Sequence, residues 1–378
     1  MGFTERRELY KQLEEARQRP LIVYVTSTRP GIESRILPDA IPQLLDQLDE
    51  IPNGNKSVDL LVVSHGGDPM TAWRAMTLLH ERVDNVAVLV PQVAYSAATM
   101  LAMGANEIVM HPNGNLGPVD PQIEISRPGE PPQRFGFEDL AGFLQFVKTE
   151  VGLTDQEQIQ RMFAMFCNQV GPVPVAIAAR ASLLTATMGE KLLMLHMTDK
   201  ESAKRIAESL NKKFFNHGYP VSRREAKEEI GLAIAEPNPV VESLMWKIWL
   251  DIEKELEVRT RFNPIFHMSS DTDIANSLFG PVLQSHSPAV QNHVMQLINN
   301  IQLQQGGGNA GTVAKSIVDS LSSKVKSMDV SLTTGIMESL RKASYELQRA
   351  KILACRMPDL QMKVNVVPVS SSWLPVSF

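Results

Sequence analysis

Three short segments place reactive residue types at regular intervals. The first is Ser64-His65-Gly66-Gly67-Asp68-Pro69, between the apolar run VDLLVV and a helical pattern. Adjacent glycines let backbone N–H groups point outward, unshielded by side chains. Such a turn can hold an oxyanion, although a Gly-Gly pair after a strand also reads as a plain tight turn. The second segment is Ala94-Tyr95-Ser96-Ala97-Ala98-Thr99-Met100. Ser96 opens a short apolar helix with small neighbours. It reads as an N-cap. It also reads as a nucleophile that gains from the helix dipole, the next N–H being a second oxyanion donor. The third is Asn115-Leu116-Gly117-Pro118-Val119-Asp120-Pro121-Gln122. Its Asp120 also fits a turn aspartate before proline. One strand–helix unit separates Gly67 from Ser96, so both turns fall at one sheet edge on adjacent strands.

The elements that must position these segments follow from hydrophobic period. Leu21–Val25, Val58–Val63, Val86–Val90 and Glu107–His111 read as apolar strands. Pro38–Leu48, Met70–Val83 and Ser96–Met103 read as helices between them. Strands alternating with helices predict an α/β fold with a mainly parallel, doubly covered sheet. Residues 112–135, rich in Pro and Gly, predict loops and short strands. From Phe137 to His196 the pattern is helical, with Pro174 suited to a first-turn position. Ile177, Ala181, Leu184, Met188 and Leu195 form a stripe that reads as core. Ser222 and Glu225 form a capping box, and Gly231 stops that helix. Pro239–Leu256 is a further helix. Beyond Arg261 the spacing predicts helices around 290–301, over Thr312–Lys326 and over Leu332–Leu353, with a Gly306–Gly308 break. Leu360–Val366 alternates like a strand that Pro368 ends. The expected organisation is an N-terminal helix or arm over 1–19, an α/β domain over 20–260, and a helical C-terminal extension over 261–378 with a strand-like tail.

Composition narrows the function classes. The chain has 378 residues, 43% apolar and 21% charged, enough for a sizeable core. It carries 37 basic and 42 acidic residues, a net charge of −5, which gives no footprint for nucleic acid. Its two cysteines, Cys167 and Cys355, fit neither a disulfide scaffold nor a metal knuckle. A reduced, cytoplasmic compartment is the expectation. The charged first 20 residues do not read as a secretory signal. Val86–Ala105 lacks charge, but Pro91, Gln92 and Ser96 break it, so a strand and a short helix are expected instead of a membrane span. His111, His196, His267, His286 and His293 show no ligand spacing, so no metal or cofactor is expected.

Together the SHGGDP turn, the YSAATMLAMGANEIVM segment and the NLGPVDPQ loop resemble the serine dehydrogenase proteinase family. That family belongs with the Clp protease proteolytic subunit and signal peptide peptidase A. Asn216-His217-Gly218-Tyr219-Pro220-Val221-Ser222 and the following REAKEEIGL are similar to its later segment. The resemblance covers about residues 20–260. It implies a Clp/crotonase-like fold of stacked ββα units and a serine peptidase activity on peptide or protein substrates. By position, Ser96 matches the nucleophile, Gly67 and Ala97 the oxyanion donors, and Gly66 the residue shaping the turn. The resembled families assemble, so a homo-oligomer is expected. No GxxxxGK[ST] motif occurs, so an ATPase would be a separate chain. A membrane-associated partner stays open.

The general base departs from the Clp pattern, because Asp120 stands where a histidine is expected. A carboxylate is a poor base for a serine hydroxyl near neutrality. Three candidates follow, in this order. His217 would make a Ser96–His217–Asp120 triad with the positions of base and acid exchanged, which geometry permits. Lys148, near the lysine of signal peptide peptidase A, would serve if desolvated, but it also reads as a solvated helix residue. His65 adjoins the oxyanion turn. Two other functions remain: a catalytically silent assembly scaffold, and a crotonase-type acyl-CoA enzyme, which would not need Ser96.

Overall fold

The computed structural model describes residues 2–126, 132–212, 214, 216–279, 325–356 and 361–376. They divide into two units. The first comprises Met1–Arg259, Thr334–Tyr345 and Trp373–Phe378; the second comprises Thr260–Thr333 and Glu346–Ser372.

The first unit opens with α1 (Phe3–Arg17), β1 (Leu21–Thr26), α2 (Ala40–Asp49), β2 (Ser57–Val63) and α3 (Pro69–Arg82). β3 (Asn85–Val90), β4 (Val93–Ala94), α4 (Ala97–Met103), β5 (Glu107–Met110) and β6 (Asn115–Leu116) follow. A hairpin of β7 (Gln122–Ile125) and β8 (Gln133–Gly136) leads into α5 (Phe137–Thr149), α6 (Gln156–Val170), α7 (Pro172–Leu193) and α8 (Lys200–Lys212). The unit continues with β9 (Val221–Ser222), the short turn α9 (Arg223–Glu225), a π-turn over Ala226–Ile230, β10 (Ile234–Ala235) and α10 (Pro239–Glu255). β11 (Lys326–Ser339) and β12 (Ala343–Arg356) contribute their Thr334–Tyr345 portion, and β13 (Met362–Pro375) its last residues.

In the main sheet β10, β5, β3, β2 and β1 lie side by side, all parallel. β11 then pairs antiparallel with β1, placing Tyr24 opposite Met337. Helices on both faces bury these strands, which is why their sequences read as unbroken apolar runs. The α/β fold with a mainly parallel sheet is thus as the sequence predicts. The uncharged stretch from Val86 to Ala105 divides into β3, β4 and α4. Among the described residues no single helix is long and apolar enough to cross a membrane.

α1 is not a loose arm, since Phe3, Arg6, Tyr10 and Leu13 are buried in the first unit. In α7 the buried face carries Val175, Ala178, Ser182, Thr185 and Met188, whereas Ile177 and Leu184 are exposed. The expected core stripe is therefore wrong at those two positions. Small residues pack inward against α8, with Ser182 Oγ donating to Asn211 Oδ1 at 2.9 Å. Pro172, ahead of Pro174, takes the first position of α7.

In the second unit α11 (Pro264–Ser269) and α12 (Thr272–Phe279) are helical. The helix expected over Leu332–Leu353 is instead two strands, joined where Ser339 Oγ accepts from the N–H groups of Arg341 and Lys342. Pairing with β1 overrides the helical spacing there. β13 runs past Pro368 to Pro375, which an edge strand tolerates because proline lacks only the N–H. The first finding corrects the helix expected over Leu332–Leu353, and the second carries the expected strand past Pro368, where the sequence pattern ended it. The helix around 290–301, the Gly306–Gly308 break, and Thr312–Lys326 up to residue 324 lie outside the described residues.

One buried cation joins α1, α10 and β11. The Arg6 guanidinium, fully buried, donates to Asp251 at 2.5 Å, Glu255 at 2.8 Å and Glu338 at 2.7 Å. Removing one partner of such a cluster leaves buried charge uncompensated. Arg6→Met is expected to cost about 3–5 kcal/mol of stability, read as a lowered urea midpoint. A loss below about 1 kcal/mol would show that water reaches these carboxylates.

Candidate active site

Backbone pairing brings the separate segments together. β4, β6 and β9 form a small sheet in which Ala94 lies opposite Leu116 and Leu116 opposite Val221. Ser64 bridges Ala94. Its N–H donates to Val93 O at 3.0 Å, and its carbonyl accepts from Tyr95 N at 3.0 Å. Each segment leaves this framework within a few residues: Gly66-Gly67 after Ser64, Ser96 after Ala94, Asp120 after Leu116, and His217 just before Val221.

The glycine turn is held from three sides. Gly66 N donates to Ser64 Oγ at 3.0 Å, and Ser64 Oγ lies 2.7 Å from Thr26 Oγ1. Ile36 N donates to Gly66 O at 2.9 Å, and Asp68 N to Ile36 O at 2.8 Å. The Asp68 side chain then caps α3 through Met70 N and Thr71 N. A Cβ on Gly67 would sit 2.2 Å from Ile36 O, and one on Gly66 would sit 2.6 Å from Ser96 Cβ. The two turns therefore touch, as the sequence spacing predicts.

Ser96 has φ 53° and ψ −118°, a conformation that non-glycine residues rarely adopt. Its hydroxyl makes no capping hydrogen bond, so the plain N-cap reading does not describe it. Among the described residues the N–H groups of Gly67 and Ala97 have no hydrogen-bond partner. They belong to the two turns that touch. Behind Ser96, the buried Thr99 hydroxyl meets Ala94 O at 2.7 Å and Gly117 O at 2.9 Å and accepts from Gly117 N at 3.0 Å. It ties α4 to the loop that carries Asp120.

The His217 Nδ1 donates to Asp120 Oδ1 at 2.8 Å. An ionised carboxylate only accepts, so Nδ1 is the donor, and in the neutral imidazole that leaves the lone pair on Nε2. The Asp120 side chain is 10% exposed and that of His217 38%. No hydrogen bond joins Ser96 Oγ to His217 among the described residues. Lys148 is exposed on α5 and makes no hydrogen bond to Ser96. His65 stacks on Tyr95 with ring centroids 5.9 Å apart. Near Asp120, burial pushes the Glu138 carboxyl up, Lys212 opposes this, and the Asp120 charge adds to it. Burial lowers the imidazoles of His111, stacked on Trp246, and of His196, bonded to Met103 O. Among the described residues no group of three His, Cys, Asp or Glu could hold a metal ion.

Sequence reasoning missed Ser64, Thr26, Ile36 and Thr99 as supports. For Thr26 and Ser64 the available signal was a hydroxyl at the end of an apolar strand, and for Thr99 a lone hydroxyl within the apolar run of α4. Ile36 acts through its backbone and leaves none.

Residues 40–129 match the ClpP-like SDH-type serine proteinases. This ClpP-like segment holds Gly66, Gly67, Ser96, Ala97 and Asp120, whereas His217 lies outside it. Two uncharacterized proteins of Methanocaldococcus jannaschii are also similar. One is 36% identical over 69 residues, 18% of this chain and 24% of the relative; the other is 35% identical over 66 residues, 18% and 23%. The chain thus spans about a quarter of the length of these curated relatives. Among solved structures, the membrane-bound stomatin-specific protease 1510-N is 13% identical at a TM-score of 0.34, covering 63% of this chain and 86% of that one. The ClpP protease catalytic domain of Plasmodium falciparum is 13% identical at 0.30, covering 63% and 96%.

Gly66 and Gly54 have similar positive φ, +100° and +89°, but a Cβ at Gly54 meets nothing within 4 Å. Gly54→Ala should cost about 1 kcal/mol from backbone strain alone. Gly66→Ala should cost about 1–3 kcal/mol more, because its Cβ collides with Ser96 and Tyr95 O. Equal denaturation midpoints for the two variants would refute the close approach of the turns.

Proposed function

We propose that the protein is a serine peptidase with Ser96 as nucleophile, His217 as general base and Asp120 as its orienting acid. The observation that supports this most is the 2.8 Å hydrogen bond between His217 Nδ1 and Asp120 Oδ1. That bond fixes the tautomer a base requires, with Nε2 unprotonated. His217 Nε2 takes the Ser96 proton as Oγ attacks the scissile carbonyl. The oxyanion that forms is held by the N–H groups of Gly67 and Ala97, with Gly66 shaping the turn. His217 then returns the proton to the leaving amine, and water hydrolyses the acyl-enzyme by the same route. Asp120 stabilises the imidazolium without itself taking the proton. The step consumes no ATP, and its substrate class is peptides. Hydrogen bonds between nucleophile and base are commonly long in empty sites and tighten with substrate. Exposed Lys148 lacks the desolvation that a lysine base requires. A chain of this length with only two cysteines, Cys167 and Cys355, fits a reducing, cytoplasmic setting.

The test is labelling by a fluorophosphonate probe together with peptide hydrolysis. Ser96→Ala should abolish both. His217→Ala should lower the rate by a factor of about 10²–10⁴, Asp120→Asn by up to about 10⁴, and Lys148→Ala by less than about twofold. Full activity in His217→Ala with loss in Lys148→Ala would transfer the base to the lysine. Failure of the wild type to label would favour a silent scaffold.

We also infer self-association. Among the described residues none of the 15 in α6 is buried, and Phe163 and Met165 on it are exposed. Phe266 and Phe279 of α11 and α12 are exposed as well. Isolated apolar side chains at a surface are ordinary, but a helix without any buried residue lacks the packing that normally stabilises it. Sedimentation at micromolar concentration should give a species larger than the monomer. A clean monomer would overturn the inference.

A further inference from the structure

We propose that Gln122 is a positioning residue for the Asp120–His217 pair, and that residue 136 is glycine to leave room for the Gln122 amide. The proposal rests on the peptidase reading above. A carboxylate that orients an imidazole must keep one oxygen facing Nδ1. The terminal torsion of aspartate is broad, so the plane needs a second restraint. Gln122 Nε2 supplies it, donating to Asp120 Oδ2 at 2.8 Å while His217 Nδ1 donates to Oδ1 at 2.8 Å. With one donor on each oxygen, the carboxylate plane is set. The Gln122 donor is neutral, so it restrains Asp120 without competing with the imidazolium for its charge. A lysine in its place would compete, and a glutamate would repel.

An independent observation concerns the opposite strand. Gln122 opens β7, and its register partner is Gly136 of β8. Gly136 has φ −108° and ψ 175°, extended backbone that any residue adopts. Conformation therefore does not call for glycine there. Space does: a Cβ at 136 would lie 2.9 Å from Gln122 Nε2 and 3.3 Å from Pro121 O. The missing side chain is the floor on which the amide lies.

The test compares Gln122→Ala, Gln122→Glu and Gly136→Ala with the wild type. None of these changes alters Ser96, His217 or Asp120. Three quantities are read: the fluorophosphonate labelling rate, kcat and KM on a peptide substrate, and the proton NMR signal of the His217 Nδ1–H. In Gln122→Ala and Gly136→Ala, labelling and kcat should fall about tenfold to hundredfold, KM should stay within about twofold, and the Nδ1–H signal should broaden. Gln122→Glu, nearly isosteric but an acceptor, should fall further than Gln122→Ala. Wild-type labelling with an unaltered Nδ1–H signal in Gln122→Ala would overturn the proposal, as would a loss in KM alone. If the wild-type protein itself does not label, the peptidase reading fails and the NMR signal decides the positioning. Its persistence in Gln122→Ala refutes the role, and its loss upholds it. Gly136→Ala, whose backbone tolerates alanine, guards against a folding defect in the Gln122 variants.

Discussion

The pair of backbone hydrogen bonds between Ser64 and β4 sets the geometry on which the site depends. Ser64 donates to Val93 O and accepts from Tyr95 N, both at 3.0 Å. Two chain segments that diverge into different helices are thereby locked at one spacing. Beyond that lock, the Gly66-Gly67 turn and the Ser96 turn have no room for a side chain between them. Gly66 follows from that approach, whereas Gly67 follows from Ile36, whose carbonyl oxygen would lie 2.2 Å from a Cβ there. The small sheet of β4, β6 and β9 extends the same lock outward by register. It carries the Asp120 loop and the His217 segment with no contribution from their side chains.

Ser96 has positive φ within this framework, at a cost of about 1–3 kcal/mol for a non-glycine residue. The strain persists because neighbours over-determine the turn. Ala98 N donates to Tyr95 O, Met100 N to Ser96 O, and Thr99 anchors both flanks through Ala94 and Gly117. α4 itself is buried at every position, so it cannot shift to relieve the turn. Among the described residues the hydroxyl, spared from capping, and the Ala97 N–H are polar groups of the turn left for another use.

Much of this was legible in the sequence, and the reasons differ by element. The parallel strands were readable because burial on both faces leaves an unbroken apolar run, as in Val58–Val63. The neighbouring turns were readable because one βα unit separates Gly67 from Ser96. Leu332–Leu353 was misread because its apolar spacing fits a helix, while the partner that decides for strand, β1, lies about 300 residues away in the chain. Ile177 and Leu184 were misread because periodicity locates a stripe without saying which side faces α8. Ile36 was invisible because its contribution is a carbonyl and an N–H, which every residue has.

The two halves of the constellation also differ in how firmly they are built. The Gly67 and Ala97 N–H groups are backbone within the segment that matches ClpP-like proteinases, between strands whose register is fixed. The His217 imidazole comes from beyond that segment, on the loop before β9, and reaches Asp120 through one side-chain hydrogen bond. A side chain at a loop can be exchanged in evolution without disturbing a sheet, whereas a backbone donor cannot. Under the proposed assignment, Asp120 can stand where the resembled Clp pattern has its histidine while the glycine turn and the serine keep their places. That assignment requires only a base nitrogen directed at Ser96 Oγ, which either chain order can deliver.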